Sequence, residues 1–585
     1  MRGESYSSIR QALAQDPAQA LALCLDRLEQ AAGDAEAHRL AARALRALKR
    51  DGEAERHESA AIDAAATDPA LQQAAVALLD NRLHLAEPIL RGRLKENPFD
   101  VAAIRMLAEL AGRIGRNADA EKLLRRALEL APGFTAARAN LATALHRQNK
   151  TAQALEELDR LQDQSNPAHA NLRAAVLGRL GDFDEAIALY ERILDQVAGQ
   201  PKIWMSYGHA LKTVGRTADS IAAYRRATAL RPAFGEAWWS IANLKTTAFD
   251  AADIAAMDGA LNDAKASAED RFHLHFALGK AISDRGDAGA AFLHYAEANR
   301  LRRESQPHDA ARTTRAVDAA IGLFTPDFFA ARQGRGCAAP DPIFIVGLPR
   351  AGSTLIEQIL SSHSQVEGTM ELPDLPALVA ELRQEGEWPA MLRGLDPARL
   401  RALGEAYIDR TRIQRREGRP YFIDKLPNNW LHAGLIHLIL PHARIIDARR
   451  HPLDCGYSNF RQHFARGQAF SYDLGDIGHY YRDYVRLMAH VDAVLPGRIH
   501  RVVHERLLDD PEGEVRRLLD ALGLPFEEDC LHFHRNRRAV RTASSEQVRR
   551  PINRDGEGHW RAVEAQLQPL IATLGPVLDS YPDAP

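Results

Sequence analysis

The sequence predicts two kinds of structure in one chain, an N-terminal α-solenoid of short helical repeats and a C-terminal α/β domain on a parallel sheet. Three observations predict it. Residues up to about Arg303 are rich in Ala, Leu and Arg at helical apolar spacing, with turn residues at a fixed interval. The stretch Pro342-Ile343-Phe344-Ile345-Val346-Gly347 is continuously apolar and ends at a glycine, as a buried strand does. Beyond it, apolar strands alternate with helical segments, which implies parallel strands joined by right-handed crossovers. The boundaries read as 1–303 for the repeats, 304–341 for a helical linker and 342–585 for the α/β domain.

In the first part the punctuation sets the period. Asn81, Gly115 and Asn149 are 34 residues apart, as are Gly181 and Gly215. Ala86, Ala120 and Ala154 keep the same interval, and so do the pairs Tyr190 and Tyr224, and Trp204 and Trp238. Prolines at Pro69, Pro98, Pro132 and Pro232 close units. A helix-turn-helix unit of this length resembles the tetratricopeptide repeat. Stacking of such units builds a groove, read either as a surface for a protein or peptide partner or as a spacer. One interval, Asn149 to Gly181, is out of step. From Asp250 to Arg303 the pattern stays helical but loses the register, and Phe276 to Asp287 reads as a last, capping repeat.

Bulk properties narrow the function. A chain of 585 residues with 46% hydrophobic content supports more than one packed core. A net charge of −3 gives no field favouring nucleic acid or a membrane surface. The N-terminus lacks an apolar signal core, and no long apolar run is found, so the expected location is the cytoplasm. Cys24, Cys337, Cys455 and Cys530 form no C-x-x-C pair and read as buried thiols rather than a zinc or disulfide framework. His432, His437 and His442 fall five apart, which spreads them around a helix, and no metal is expected. The basic cluster Arg535, Arg537, Arg538 and Arg541 reads as a solvated loop, with the alternative that it draws an acidic peptide.

In the second part, four strands are expected: 342–346, 421–423, 443–448 and 499–503. Helices are expected at 397–414, 430–440, 476–494 and 512–522. The loop after the first strand, Gly347-Leu348-Pro349-Arg350-Ala351-Gly352-Ser353-Thr354-Leu355, leads into a helix. Strand, glycine loop and helix aim backbone N–H groups and a helix dipole at a phosphate. Gly347, Gly352 and Thr354 fit the nucleoside-triphosphate loop, but Ser353 stands where its lysine belongs. The segment instead resembles the 5′-phosphosulfate loop of sulfotransferases, which use 3′-phosphoadenosine 5′-phosphosulfate as co-substrate and need no metal.

Further motifs, in order, resemble the tyrosylprotein sulfotransferases. Glu371 follows the loop where that family has its catalytic base, with Glu367 as a rival carboxylate, and His363 matches the family pattern. A phenol, with a pKa near ~10, gains from a carboxylate that accepts its proton. Lys425, at the end of a strand, resembles the lysine that contacts the bridging and 5′-phosphate oxygens. Arg450 and Ser458 resemble the 3′-phosphate pair. Arg461 lies one place before the family arginine, whose position holds Gln462. His504 stands where a tyrosine is usual. Ser544 and Arg550 resemble donor contacts of the closing segment. The resemblance thus implies donor binding by Arg350, Ala351, Gly352, Ser353, Thr354, Leu355, Lys425, Arg450, Ser458, His504, Ser544 and Arg550. It implies catalysis by Glu371, Arg350, Lys425 and Ser544. The acceptor stays open among a peptide tyrosine, a glycan and a small hydroxylated molecule, because Leu372 and Pro373 replace the basic residues that follow the family glutamate. Two other readings remain, a triphosphate-dependent kinase or ATPase, and a repeat scaffold with an inactive α/β domain.

Overall fold

A computed structural model describes residues 4–161, 166–244, 247–464, 467–536, 538–540, 542 and 544–582. The residues that punctuate the repeats take left-handed backbone: φ is 57° at Asn81, 82° at Gly115, 62° at Asn149, 89° at Gly181 and 83° at Gly215. Glycine and asparagine tolerate that region best, so the turn itself selects them. Contacts divide the chain into two compact units, Met1–Ile193 and Leu194–Pro585.

The first unit is a run of helix pairs, such as Val101–Arg113 with Asn117–Leu130 and Thr135–Arg147 with Thr151–Asp159. The recurring alanines Ala86, Ala120 and Ala154 are buried where helices meet. A small side chain there lets the backbones approach. The interval that falls out of step contains the shortened helix Thr151–Asp159, 9 residues against 14 in Asn117–Leu130. Residues 162–165, within the same interval, lie outside the described residues.

The second unit opens with further helices and continues into the sheet. Trp204 and Trp238 repeat one contact, each indole Nε1 donating to a carbonyl six residues back, Ala198 at 2.7 Å and Pro232 at 2.9 Å. The helices Gly235–Ala242, Ala268–Asp284 and Ala288–Ser305 share one apolar core with the α/β part, continuous from Tyr224 to Leu574. Phe292 stacks on Phe460, and the rings of Trp239, Phe272 and Phe276 surround His463. Full burial of such side chains is worth about 1.5–3 kcal/mol each. Hydrogen bonds add to the junction: Asn299 Nδ2 to Phe460 O at 2.8 Å, and Thr217 Oγ1 to Glu546 Oε2 at 2.9 Å.

The sheet has five parallel strands, β1 Pro342–Gly347, β2 Val366–Gly368, β3 Tyr421–Lys425, β4 Arg444–Arg449 and β5 Ile499–Val503. Their order is β2-β3-β1-β4-β5. Four strands were expected from the sequence; β2, three residues at an edge, is the addition. β1 is central and buried throughout, paired with β3 (Ile345 opposite Lys425) and β4 (Val346 opposite Asp447). The chain steps to one side of β1 for β2 and β3, and to the other for β4 and β5. The strand order therefore reverses between β1 and β4, and a crevice at such a point is where parallel sheets take ligands. Among the described residues no helix is long and apolar enough to cross a membrane, and no group of His, Cys, Asp and Glu has the arrangement of a metal site.

Candidate active site

The loop after β1 enters the crevice under two backbone constraints. Gly347 has φ 139°, and a Cβ there would lie 2.4 Å from the carbonyl oxygen of Ala448 on β4. Gly352, at φ 97°, caps the helix Ser353–Ser361, and a Cβ there would meet His504 Nδ1 at 2.8 Å. No side chain caps that helix start by a hydrogen bond, and the first-turn amides of a helix can meet an anion.

Arg350 lies between the glycines with φ 69°. Its Nε donates to Ser458 Oγ at 3.0 Å, Nη1 donates to Ser544 Oγ, and Nη2 donates to Gln547 Oε1 at 3.3 Å. One guanidinium thereby joins the serine expected at the 3′ end of a nucleotide to the serine expected at the 5′ end. Burial, with Arg450 and Arg461 nearby, pushes its pKa down to about 10, so it remains a cation at neutral pH.

Arg450, just past β4, is buried. It donates from Nη1 to the Arg350 carbonyl at 3.1 Å and from Nη2 to the Gly556 carbonyl at 2.5 Å. Its Nε has no hydrogen-bond partner. Ser458 lies in the helix Pro452–Phe460, which starts three residues past β4. His504 begins the helix after β5; burial, with Arg450 and Arg350, drives its pKa down to about 3, so the ring is neutral, and its Nδ1 also lacks a partner. Unpaired buried polar atoms are costly, and two of them on one cavity mark a place where a ligand completes the bonding.

That cavity holds about 540 Å³ and is lined by Arg350, Gly352, Ser353, Thr354, Leu355, Arg450, Ser458, His504, Ser544 and Arg550, among others. Arg550 is exposed at its rim, 3.6 Å from Asp555. Ala351 is buried beneath the loop and does not face the cavity. Glu371 and Lys425 are also absent from the lining. They form an ion pair, Lys425 Nζ to Glu371 Oε1 at 2.5 Å, with the lysine buried and the glutamate 46% exposed. Lys425 Nζ also lies 3.9 Å from Glu357 in the helix Ser353–Ser361, so the pair sits against the element that the loop leads into.

The rival carboxylate Glu367 has a different job. It is buried on β2 and accepts the backbone N–H of Arg416 and, at 2.7 Å, that of Glu417. His363 is likewise structural, its Nε2 within 2.9 Å of the Pro525 carbonyl. Arg461 lies over the Tyr457 ring, and Gln462 donates to Asn243 Oδ1 at 3.1 Å. Of the basic cluster, Arg535 is exposed, and Arg537 and Arg541 lie outside the described residues. Arg538 is not solvated as expected. Its Nε donates to Gln358 Oε1, its Nη1 donates to the Thr369 carbonyl, and its Nη2 lies near Glu357 Oε1, each at 2.9 Å. Sequence reasoning also missed Gln547, and Thr542, whose Oγ1 is 3.3 Å from that of Thr354. It missed the helical wall as well: Trp239, Asn243, Lys280, Asp284 and Tyr295 line the same cavity. No local motif marks these positions.

Both parts of the chain are similar to known protein families. Residues 342–528 match the sulfotransferase family model, and residues 113–176 and 171–233 match tetratricopeptide repeat models. An uncharacterized protein of Aquifex aeolicus is 30% identical over 433 residues, 72% of this chain; the chain spans 56% of that relative's length. Protein-tyrosine sulfotransferase 1 of Danio rerio is 25% identical over 262 residues, 40% of this chain and 70% of that one. Among solved structures, the sulfotransferase domain of the Synechococcus PCC 7002 olefin synthase is 22% identical with a TM-score of 0.30, covering 38% of this chain and 88% of its own. The chain carries a sulfotransferase-family domain preceded by tetratricopeptide repeats.

Proposed function

We propose that the α/β domain transfers a sulfuryl group from 3′-phosphoadenosine 5′-phosphosulfate to an acceptor hydroxyl. The acceptor oxygen attacks sulfur, the bond from sulfur to the 5′-phosphate oxygen breaks, and adenosine 3′,5′-bisphosphate leaves. One observation carries the reading. The Arg350 guanidinium contacts Ser458 and Ser544 together, so the groups suited to the two phosphorylated ends of one nucleotide face a common cavity at the β1–β4 crevice. Arg350, Lys425 and Ser544 stabilise charge on the leaving phosphate, where preorganised cations and hydroxyls act most strongly. Glu371 receives the acceptor proton. Its pairing with Lys425 holds it within reach of the group that meets the leaving oxygen. Arg450, Ser458, His504 and Arg550 hold the nucleotide, together with the loop from Arg350 to Leu355.

The acceptor we favour is a tyrosine of a protein, the substrate named for the Danio rerio relative. Tetratricopeptide repeats give a surface for such a partner. Calorimetry tests the donor. The chain is expected to bind adenosine 3′,5′-bisphosphate and to ignore ATP, because Ser353 occupies the place of the lysine that a triphosphate requires. Tight ATP binding without bisphosphate binding would overturn the reading in favour of a kinase or ATPase.

A further inference from the structure

The cavity has a wall that does not come from the sheet. Helices Gly235–Ala242, Ala268–Asp284 and Ala288–Ser305 present Trp239, Asn243, Lys280, Asp284 and Tyr295 to the space faced by Arg350, Arg450 and Ser458. This wall is pinned to one end of the helix that carries Ser458. Asn243 accepts from Gln462 at 3.1 Å, Asn299 donates to the Phe460 carbonyl at 2.8 Å, and aromatic rings enclose His463. Ser458 and Arg461 are three residues apart and share a helix face. Buried Tyr295 lines the cavity together with Arg461 and Asp284.

Lys280 lies one turn before Asp284 on the same helix, and its ammonium is held by the Asp284 carboxylate. The lysine is partly buried, at 22% side-chain exposure. Its ammonium joins the cations Arg350, Arg450, Arg461 and Arg550 on the cavity lining, where Asp284 pairs with Lys280 and Asp555 with Arg550. Arg450 Nε and His504 Nδ1 on this cavity are buried without hydrogen-bond partners.

We infer that Lys280 is a phosphate-binding residue of the transferase cavity, so that the helical segment supplies part of the donor site. The inference rests on the sulfonucleotide reading above. Asp284 then has a second role: it holds Lys280 along its own helix and competes with the incoming phosphate for the ammonium.

Calorimetry with adenosine 3′,5′-bisphosphate on the full chain tests this. One charge-assisted hydrogen bond, less the Asp284 contact given up, corresponds to roughly tenfold in affinity. Lys280→Met should therefore weaken binding about tenfold, and Lys280→Arg should stay within about threefold of the parent. Asp284→Asn should tighten binding about threefold, since the ammonium is released to the ligand. A purely structural pair would make both Lys280→Met and Asp284→Asn weaker, and that result overturns the inference. So does unchanged affinity in Lys280→Met. If Lys280→Met does not fold, the Asp284→Asn arm decides by its sign. A parent chain that fails to bind the bisphosphate removes the donor reading itself, whereas parent binding with an indifferent Lys280 removes this inference alone.

Discussion

Replacing Arg350 with methionine should stabilise the free protein and weaken its hold on a sulfonucleotide, two effects of opposite sign from one substitution. The three side-chain partners of Arg350 are neutral, Ser458, Ser544 and Gln547. Burial and the charges of Arg450 and Arg461 lower its pKa from 12.5 to about 10. A cation whose folded pKa is depressed destabilises the fold at every pH below that value, and the penalty is complete at pH 7. A shift of this size corresponds to about 3 kcal/mol. Solvent in the open cavity trims that figure, and the substitution leaves the former partners to water. A net gain of about 1–2 kcal/mol remains, or about 1–3 °C in Tm for a unit this large. Methionine keeps the length of the chain and meets the same backbone constraint at φ 69°, so the comparison isolates the charge.

Binding should move the other way. A guanidinium placed between two serines can reach two anionic groups of one ligand, each contact worth about 1.5–3 kcal/mol. Losing both should cost about 3–5 kcal/mol, a hundredfold or more in Kd. Thermal unfolding of the free protein, together with calorimetry using adenosine 3′,5′-bisphosphate, reads the two quantities separately. A lower Tm with unchanged affinity would refute the reasoning. Arg350 would then be a cross-link between the loop and residues 458 and 544, not a ligand-binding cation.

Two further outcomes follow from the same geometry. Glu371→Gln keeps an acceptor for Lys425 but removes the base, so transfer from labelled donor to an acceptor fraction should fall about 100-fold or more while the Kd for the bisphosphate stays within about twofold; unchanged transfer would take Glu371 out of the mechanism. Asp424 on β3 is fully buried against the Tyr407 hydroxyl, at 2.7 Å, and burial raises its pKa to about 8. A carboxyl raised in the fold costs nothing below pH ~4 and costs progressively more up to pH ~8, at most about 5 kcal/mol. The Tm advantage of Asp424→Asn should therefore grow from pH 5 to pH 8, and an advantage constant across that range would contradict the assignment.

Much of the architecture was legible because backbone chemistry constrains residue choice. Left-handed turns favour Gly and Asn, and those residues gave the repeat period at Asn81, Gly115, Asn149, Gly181 and Gly215. A strand buried on both faces reads as an unbroken apolar run, which is how β1 was found. β2 has three residues, too few for any pattern to show. Cavity-lining residues were legible where they follow strand ends, as Arg350 and Arg450 do, whereas Lys425 at the end of β3 is buried outside the lining. Pairings between distant segments were not. Nothing local says that Glu367 is spent on the amides at 416 and 417, or that Arg538 folds inward onto Gln358 and Thr369.

The loss of repeat register after Asp250 has a physical cause of the same kind. A repeat keeps its sequence because each unit packs on a near-copy of itself, so the same positions meet the same neighbours. Helices Ala268–Asp284 and Ala288–Ser305 meet a different partner as well: Phe272, Phe276 and Phe292 pack on Phe460 and His463 of the α/β part. Their outward residues pack on that surface or line the cavity, so the period dissolves there. A helical segment that drops its register just ahead of a catalytic domain is thus read better as part of that domain's site than as a worn repeat. On this argument, restoring the consensus register across residues 268–305 should cost the junction its core and the cavity its Lys280.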